Sequence, residues 1–190
     1  MRSDAELLAA WRGGDPAAGE ELVARHWTSV SRFCRSKIGD DGADVIAQVF
    51  LACVEARDRI AGDNIKAYLF GVARKRLADE FRQRSRTPDL DFSMSSVMDL
   101  RTGPATHVSR RERSALLHEA LARIPLDDQI ALELQYFEGL SMAEIAGVLE
   151  IEENTVRSRL SRARDKLRAV LATLAPADEA ALAESQLDTR

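Results

Sequence analysis

The sequence predicts an all-α protein made of two small helical domains joined by a flexible linker. Ala, Leu, Arg and Glu are abundant and only 5% of residues are aromatic, a composition that favours helix because straight-chain side chains lose little rotamer freedom there. Apolar residues recur at the helical period in block after block. The period lapses over 87–110, where Pro88, Gly103, Pro104 and five serines or threonines before Pro104 occur together, as in a linker. At 190 residues and 45% hydrophobic content, each side of that break can hold a modest core.

The elements follow in order. Asp4 to Arg12 reads as a short helix, and Gly13-Gly14-Asp15-Pro16 as a break. Ala17 to Lys37 reads as a long helix with Leu22, Val23, Val30 and Phe33 among its buried positions. After the Gly39–Gly42 turn, a helix from Asp44 carries Val45, Ile46, Val49, Phe50, Cys53 and Val54 in one stripe. Gly62-Asp63-Asn64 precedes a helix from Ile65 to about Arg84. The expected domains are therefore 1–86 and 111–174, separated by the 87–110 linker and followed by a mobile acidic tail at 175–190. Helices are expected near 111–123, 127–138, 141–149 and 154–174.

Residues Ser141 to Leu171 are the most informative. Ser141 and Glu144 form a capping-box pair, each side chain placed to satisfy an orphan amide at a helix start. Gly139 can end the preceding helix. Met142, Ile145, Ala146 and Leu149 make one apolar face, and after a short Ile151–Asn154 connection Val156, Leu160, Ala163, Leu167, Val170 and Leu174 make another. At about 100° per residue, Ser158, Ser161 and Arg162 fall opposite this second stripe, with Thr155, Arg157, Arg159 and Lys166 on its borders. Hydroxyls and guanidinium groups near such a helix start can bind phosphate or read base edges. A solvated outer face is the plain alternative. The capping box, the small Ala146 and the Ile151 turn favour DNA contact.

Formal net charge is −4, which taken alone argues against a nucleic-acid binder, but its distribution argues for one. Residues 66–86 and 155–170 each sum to +5, leaving −14 on the rest. Each basic island can bind phosphate, while the acidic remainder limits indiscriminate DNA binding.

Cys34 and Cys53 have no CxxC partner and lie in helical patterns, so they are expected reduced and buried. His26, His107 and His118 lack ligand spacing, and neither a metal nor a cofactor is expected. Scattered Ser, His and Cys residues form no catalytic set, so the chain is not expected to be an enzyme. No run approaches a membrane span, and the N-terminus has no long apolar core, so a cytoplasmic location without a membrane partner is expected.

The whole chain resembles the extracytoplasmic-function (ECF) group of sigma-70 family RNA polymerase sigma factors, which retain only the second and fourth regions of larger sigmas. IPLDDQIALELQYFEGLSMAEIAGVLEIEENTVRSRLSRARDKLRAVL is similar to the family's fourth region nearly end to end, including EIA, TVRSRL and the RAR signature. The N-terminal match comes in the right order as GDPAAGEELVARHWTSVSRFCR, DVIAQVFLACVEA and IKAYLFGVARKRLADEFRQRSR. The resemblance implies a region 2 helical bundle and a region 4 helix-turn-helix.

The same resemblance implies a promoter-specificity subunit with core RNA polymerase (β′ clamp and β flap), promoter DNA and an anti-sigma factor as partners. It carries docking on the β′ clamp to Asp44, Gln48, Phe50 and Leu51, although the stripe around Phe50 reads equally as core. It carries −10 capture to Asn64, Tyr68, Arg74, Lys75, Arg82 and Arg86, a basic track with an aromatic surface as single-stranded DNA requires. The −35 duplex falls to Asn154, Thr155, Arg157, Ser158, Arg159, Ser161, Arg162 and Lys166. Val49, Lys75, Glu150, Glu152 and Glu153 depart from the family's usual residues, and Glu150 stands where helix-turn-helix turns use a left-handed glycine, at about 1 kcal/mol if that geometry is kept. Two other readings stay open at this point: an autonomous helix-turn-helix regulator acting as a dimer, and a sigma mimic that only binds proteins.

Overall fold

The computed structural model describes residues 1–39, 42–61, 64–85 and 108–174. Eight helices and no strand occur among them: α1 (Asp4–Arg12), α2 (Pro16–Ile38), α3 (Gly42–Ala56), α4 (Ile65–Ser85), α5 (Val108–Ala122), α6 (Leu126–Tyr136), α7 (Met142–Leu149) and α8 (Glu153–Leu174). They form two compact units, α1–α4 in the first and α5, α6, α8 and most of α7 in the second. The expected tail at 175–190, most of the expected linker, Arg86 and His107 lie outside the described residues. Helix α5 already begins at Val108, within the last residues of the expected linker. Arginines and a glutamate there extend the helix without any apolar period to announce it.

In the first unit, Ser3 caps α1 through a reciprocal pair with Glu6. The Ser3 amide donates to the Glu6 carboxylate at 2.7 Å, which holds that carboxyl below its ordinary range. Asp15 caps α2 by accepting from the Ala17 and Ala18 amides at 3.0 and 3.3 Å, with Pro16 opening the helix. The two helices approach closely at Gly19, where a Cβ would come within 2.6 Å of the Trp11 indole nitrogen. Asp4 ties them further, one carboxylate oxygen accepting from Arg25 at 2.7 Å and the other lying 2.7 Å from His26 Nε2.

Leu22, Val30, Phe33, Cys34, Ile46, Val49, Cys53, Leu69, Phe70, Ala73 and Leu77 are all buried. Phe33 meets Phe70 edge to face at 5.0 Å between ring centroids. Both cysteines are buried and outside any disulfide, and burial pushes Cys53 up to about 11, which leaves it a packing residue. Two expected core positions are displaced: Val23 is only half-buried and Val54 is 44% exposed. Val54 sits at the margin of the α3 stripe, where a small error in helical phase moves a residue into solvent.

In the second unit, α5 and α6 both pack on α8. Val156, Leu160, Ala163, Leu167 and Leu171 give α8 an unbroken buried stripe, while Val170 and Leu174 lie at its half-exposed edge. Fully burying one such leucine stabilises by about 1.5–3 kcal/mol, so this stripe fixes which side of α8 is left to solvent. No helix among the described residues is long and apolar enough to cross a membrane.

Candidate nucleic-acid interface

The α7 start is built as the sequence suggests. Ser141 Oγ accepts from the Glu144 amide at 3.3 Å while the Ser141 amide donates to the Glu144 carboxylate at 2.7 Å. Gly139, at φ +66°, turns the chain after α6, and the Leu140 amide returns to the Leu134 carbonyl at 2.9 Å. At the other end of α7, Glu150 adopts the left-handed conformation (φ 57°, ψ 44°) and its amide bonds back to Ala146. The Ile151 amide reaches the same Ala146 carbonyl at 3.1 Å. The chain then re-enters helix, with the Thr155 and Val156 amides on the Glu152 carbonyl at 2.9 and 3.1 Å. A glutamate therefore takes the left-handed geometry that glycine usually serves, and bears the strain.

This helix, turn and helix expose one polar face of α8. Asn154, Arg157, Ser158, Ser161 and Arg162 are exposed and Thr155 is half-exposed. Arg157 pairs with Glu153 one turn earlier at 3.0 Å, with both side chains largely in water, a contact weak enough to exchange for phosphate. The Ser158 hydroxyl donates to the Thr155 carbonyl at 3.0 Å, leaving its lone pairs outward as acceptors.

Arg159 and Lys166 correct the expectation that all these side chains are free. Arg159 is half-buried and lies 3.3 Å from Asp127 and 3.9 Å from Asp128, while Lys166 donates to Asp128 at 2.6 Å. Both stand on the border of the apolar stripe nearest α6, and the first turn of that helix carries two acids. No local pattern could have shown this, because the partners lie 38 residues apart for Lys166 and Asp128.

The N-terminal candidates are more mixed. Asn64 is exposed just before α4 and its carbonyl accepts from the Tyr68 amide at 2.9 Å. Tyr68 is half-buried and its hydroxyl donates to the Ala52 carbonyl at 3.2 Å, so one end is anchored on α3. Burial is the main reason its phenol is pushed up. Lys75 and Arg82 are exposed, Arg74 is half-exposed, and Arg82 pairs with Asp79 on its own helix.

On α3, Asp44, Gln48 and Leu51 share an exposed arc. Phe50 does not join them. It is 7% exposed and stacks on Trp27 at 5.1 Å between ring centroids, so it belongs to the core. Trp27 and Val54, which the sequence does not mark as surface residues, are 46% and 44% exposed, and Leu51 is 57% exposed. No sequence signal marks Trp27, since at a helical period it falls on the arc of α2 that also holds buried Cys34 and Ile38. Among the described residues no group of three or more His, Cys, Asp or Glu could hold a metal ion.

Comparison with known proteins agrees with this layout. The model for sigma-70 region 4 matches residues 114–167. The ECF RNA polymerase sigma factor EcfG of Rhodopseudomonas palustris is 30% identical over 134 residues, covering 70% of this chain and 72% of its own. The chain belongs to the ECF RNA polymerase sigma factors. Another relative of this sigma factor, the ECF RNA polymerase sigma factor SigM of Mycobacterium tuberculosis, is 28% identical over 91% of this chain and 87% of its own. The fold is shared with the sigma factor RpoE of Bartonella quintana, solved in complex with the anti-sigma factor NepR, at TM-score 0.68 and 21% identity over 80% of this chain and 96% of that one. The correspondence spans both units, which a freestanding helix-turn-helix regulator would not require.

Proposed function

We propose that this sigma factor binds core RNA polymerase, directs it to promoters, and reads two promoter elements with its two helical units. The observation that carries the proposal is the exposed face of Asn154, Ser158, Ser161 and Arg162 on α8, presented behind the α7 turn and opposite a fully buried stripe. A helix so placed can enter the major groove, where an arginine pairs two donors to guanine and hydroxyls reach phosphates or bases. Arg157 and Thr155 flank that face, and together these residues would read the −35 duplex.

The basic track of α4 is suited to the unwound −10 strand. Arg74, Lys75 and Arg82 share one arc, and Asn64 and the partly exposed ring of Tyr68 stand near the helix start. Residues 1–86 would thus serve −10 recognition and residues 111–174 the −35 element. The exposed arc of Asp44, Gln48, Leu51 and Val54, with Trp27 beside buried Phe50, offers apolar and acidic contacts to a polymerase helix. An anti-sigma factor is a further expected partner, as the Bartonella relative was solved with one. The protein works by binding, in the cytoplasm, and performs no chemistry of its own.

Run-off transcription with purified core polymerase over a genomic fragment library, followed by start-site mapping, tests this reading. Starts that depend on the protein and share paired upstream elements are the expected result. Duplex binding by the free chain with no dependent start would return the reading to an autonomous regulator.

A further inference from the structure

Two cations of α8, Arg159 and Lys166, meet acids of another helix, whereas Arg157 and Arg168 pair with Glu153 and Asp165 on α8 itself. Arg159 and Lys166 are seven residues apart, two helical turns, so they stand on one line of the helix. That line runs past the first turn of α6, where Asp127 and Asp128 lie at a helix start that itself favours negative charge. Asp128 is nearly buried, its side chain 9% exposed, and one of its oxygens sits 2.6 Å from Lys166 Nζ while the other is 3.9 Å from Arg159. A carboxylate so placed is costly unless a cation stays with it. Asp127 adds a second contact to Arg159 at 3.3 Å. Arg159 Nε is buried with no hydrogen-bond partner among the described residues, so the fork is held by charge rather than by full satisfaction of its donors. Arg162, three residues beyond Arg159, is exposed and meets no acid among the described residues.

We propose that Asp128, with Asp127 beside it, is a specificity-determining residue that withholds Arg159 and Lys166 from phosphate and leaves DNA reading to the Asn154–Ser158–Ser161–Arg162 face. The inference rests on the duplex-reading role proposed for α8. Phosphate contacts strengthen binding to every sequence alike, each adding about 0.9 to the slope of log affinity against log salt. Two withheld cations therefore weaken binding to arbitrary DNA and leave the discriminating contacts untouched. Lys166 is itself 49% exposed, so it is held by the nearly buried carboxylate already in contact and not by its own burial; an exposed DNA phosphate, screened by salt, competes poorly with that carboxylate.

The test is binding of the full chain to a random-sequence DNA duplex, followed by fluorescence anisotropy between about 50 and 200 mM salt. Asp128→Asn is expected to tighten binding several-fold at the low end and to steepen the salt slope by about 0.9 for each cation released. Unchanged or weaker binding with an unchanged slope, in a variant that keeps its helical circular dichroism, overturns the proposal. Lys166→Gln tests it without stranding Asp128, since Arg159 remains. That variant should leave the slope unchanged, and a flattening of about 0.9 would mean that Lys166 already contacts phosphate. A duplex selected from a random pool by the wild-type chain separates the two levels of argument. If Arg162→Ala leaves its affinity unchanged, the reading of α8 fails and the inference with it. If Arg162→Ala weakens it and Lys166→Gln also flattens the slope, only the inference fails.

Discussion

Two helices carry the same formal charge and use it differently. The segments 66–86 and 155–170 each sum to +5. In α8 the apolar side is unbroken, and the cation nearest its outward centre, Arg162, is left in water while Arg159 and Lys166 are held by acids from α6. In α4 the burial is looser: Gly71, Val72, Ala78 and Phe81 are half-exposed between buried Ala67, Phe70 and Leu77. Arg82 finds its acid, Asp79, three residues away on its own helix, with both side chains substantially in solvent. Charge count sets how strongly a helix can attract DNA; the position and burial of the partner acids set which cations are available to it.

The strongest way to break the comparison is to remove the stripe that orients α8. Leu167 is 1% exposed, and Leu167→Ala should cost about 2–5 kcal/mol, read as a lowered melting temperature. Duplex binding should fall with the second unit while binding of −10 single strand by the first persists. Parallel loss of both would mean that the two basic helices do not work as separate devices. Next in size is the exchange of reading cations. Arg162→Ala should weaken duplex binding by about 1–3 kcal/mol, whereas Arg82→Ala should mainly weaken single-strand binding, and equal losses on both probes from either variant would sink the two-site assignment.

The same contrast shows what the sequence could reveal. The α7–α8 pair was legible because its information is local: a capping pair three residues apart at the start of α7, one period along α8, and cations on the far side of that helix. The burial of Leu160 and Leu167 and the exposure of Ser158, Ser161 and Arg162 follow from that period alone. What stayed hidden depends on distant chain. Asp128 meeting Lys166 needs α6 laid against α8. Phe50 in the core and Trp27 at the surface depend on how α2 and α3 stack, since both read as apolar positions on helical stripes. The start of α5 lies three residues ahead of its expected position because its first turn is mostly polar, and binary patterning cannot see a helical turn with no apolar side.

A finer comparison is between the two capping boxes, Ser3–Glu6 on α1 and Ser141–Glu144 on α7. Loss of either hydroxyl should cost about 1 kcal/mol. Ser3→Ala should lower the stability of the first unit, which α1 joins through Asp4 to Arg25 and His26. Ser141→Ala should lower that of the second, and it should also weaken duplex binding if α7 supports the entry of α8. A melting shift in each variant, with a DNA effect only in the second, is the outcome expected from separate units.

The smallest effect is the one whose sign is most informative. Glu150 holds φ 57° and ψ 44° between α7 and α8, a conformation that costs an L residue about 1–2 kcal/mol. Glycine removes that strain, but its freer unfolded chain gives back about 0.4–1 kcal/mol. Glu150→Gly should therefore stabilise the second unit by somewhat under about 1 kcal/mol, the difference of those terms, a rise of a few degrees in melting temperature. Because the turn keeps its geometry, the exposed face of α8 stays where it is, and duplex affinity should change only by the loss of one acidic charge near phosphate. A stabilised variant with weakened duplex binding would show instead that Glu150 takes part in reading DNA, and would move the boundary of the α8 interface back into the turn.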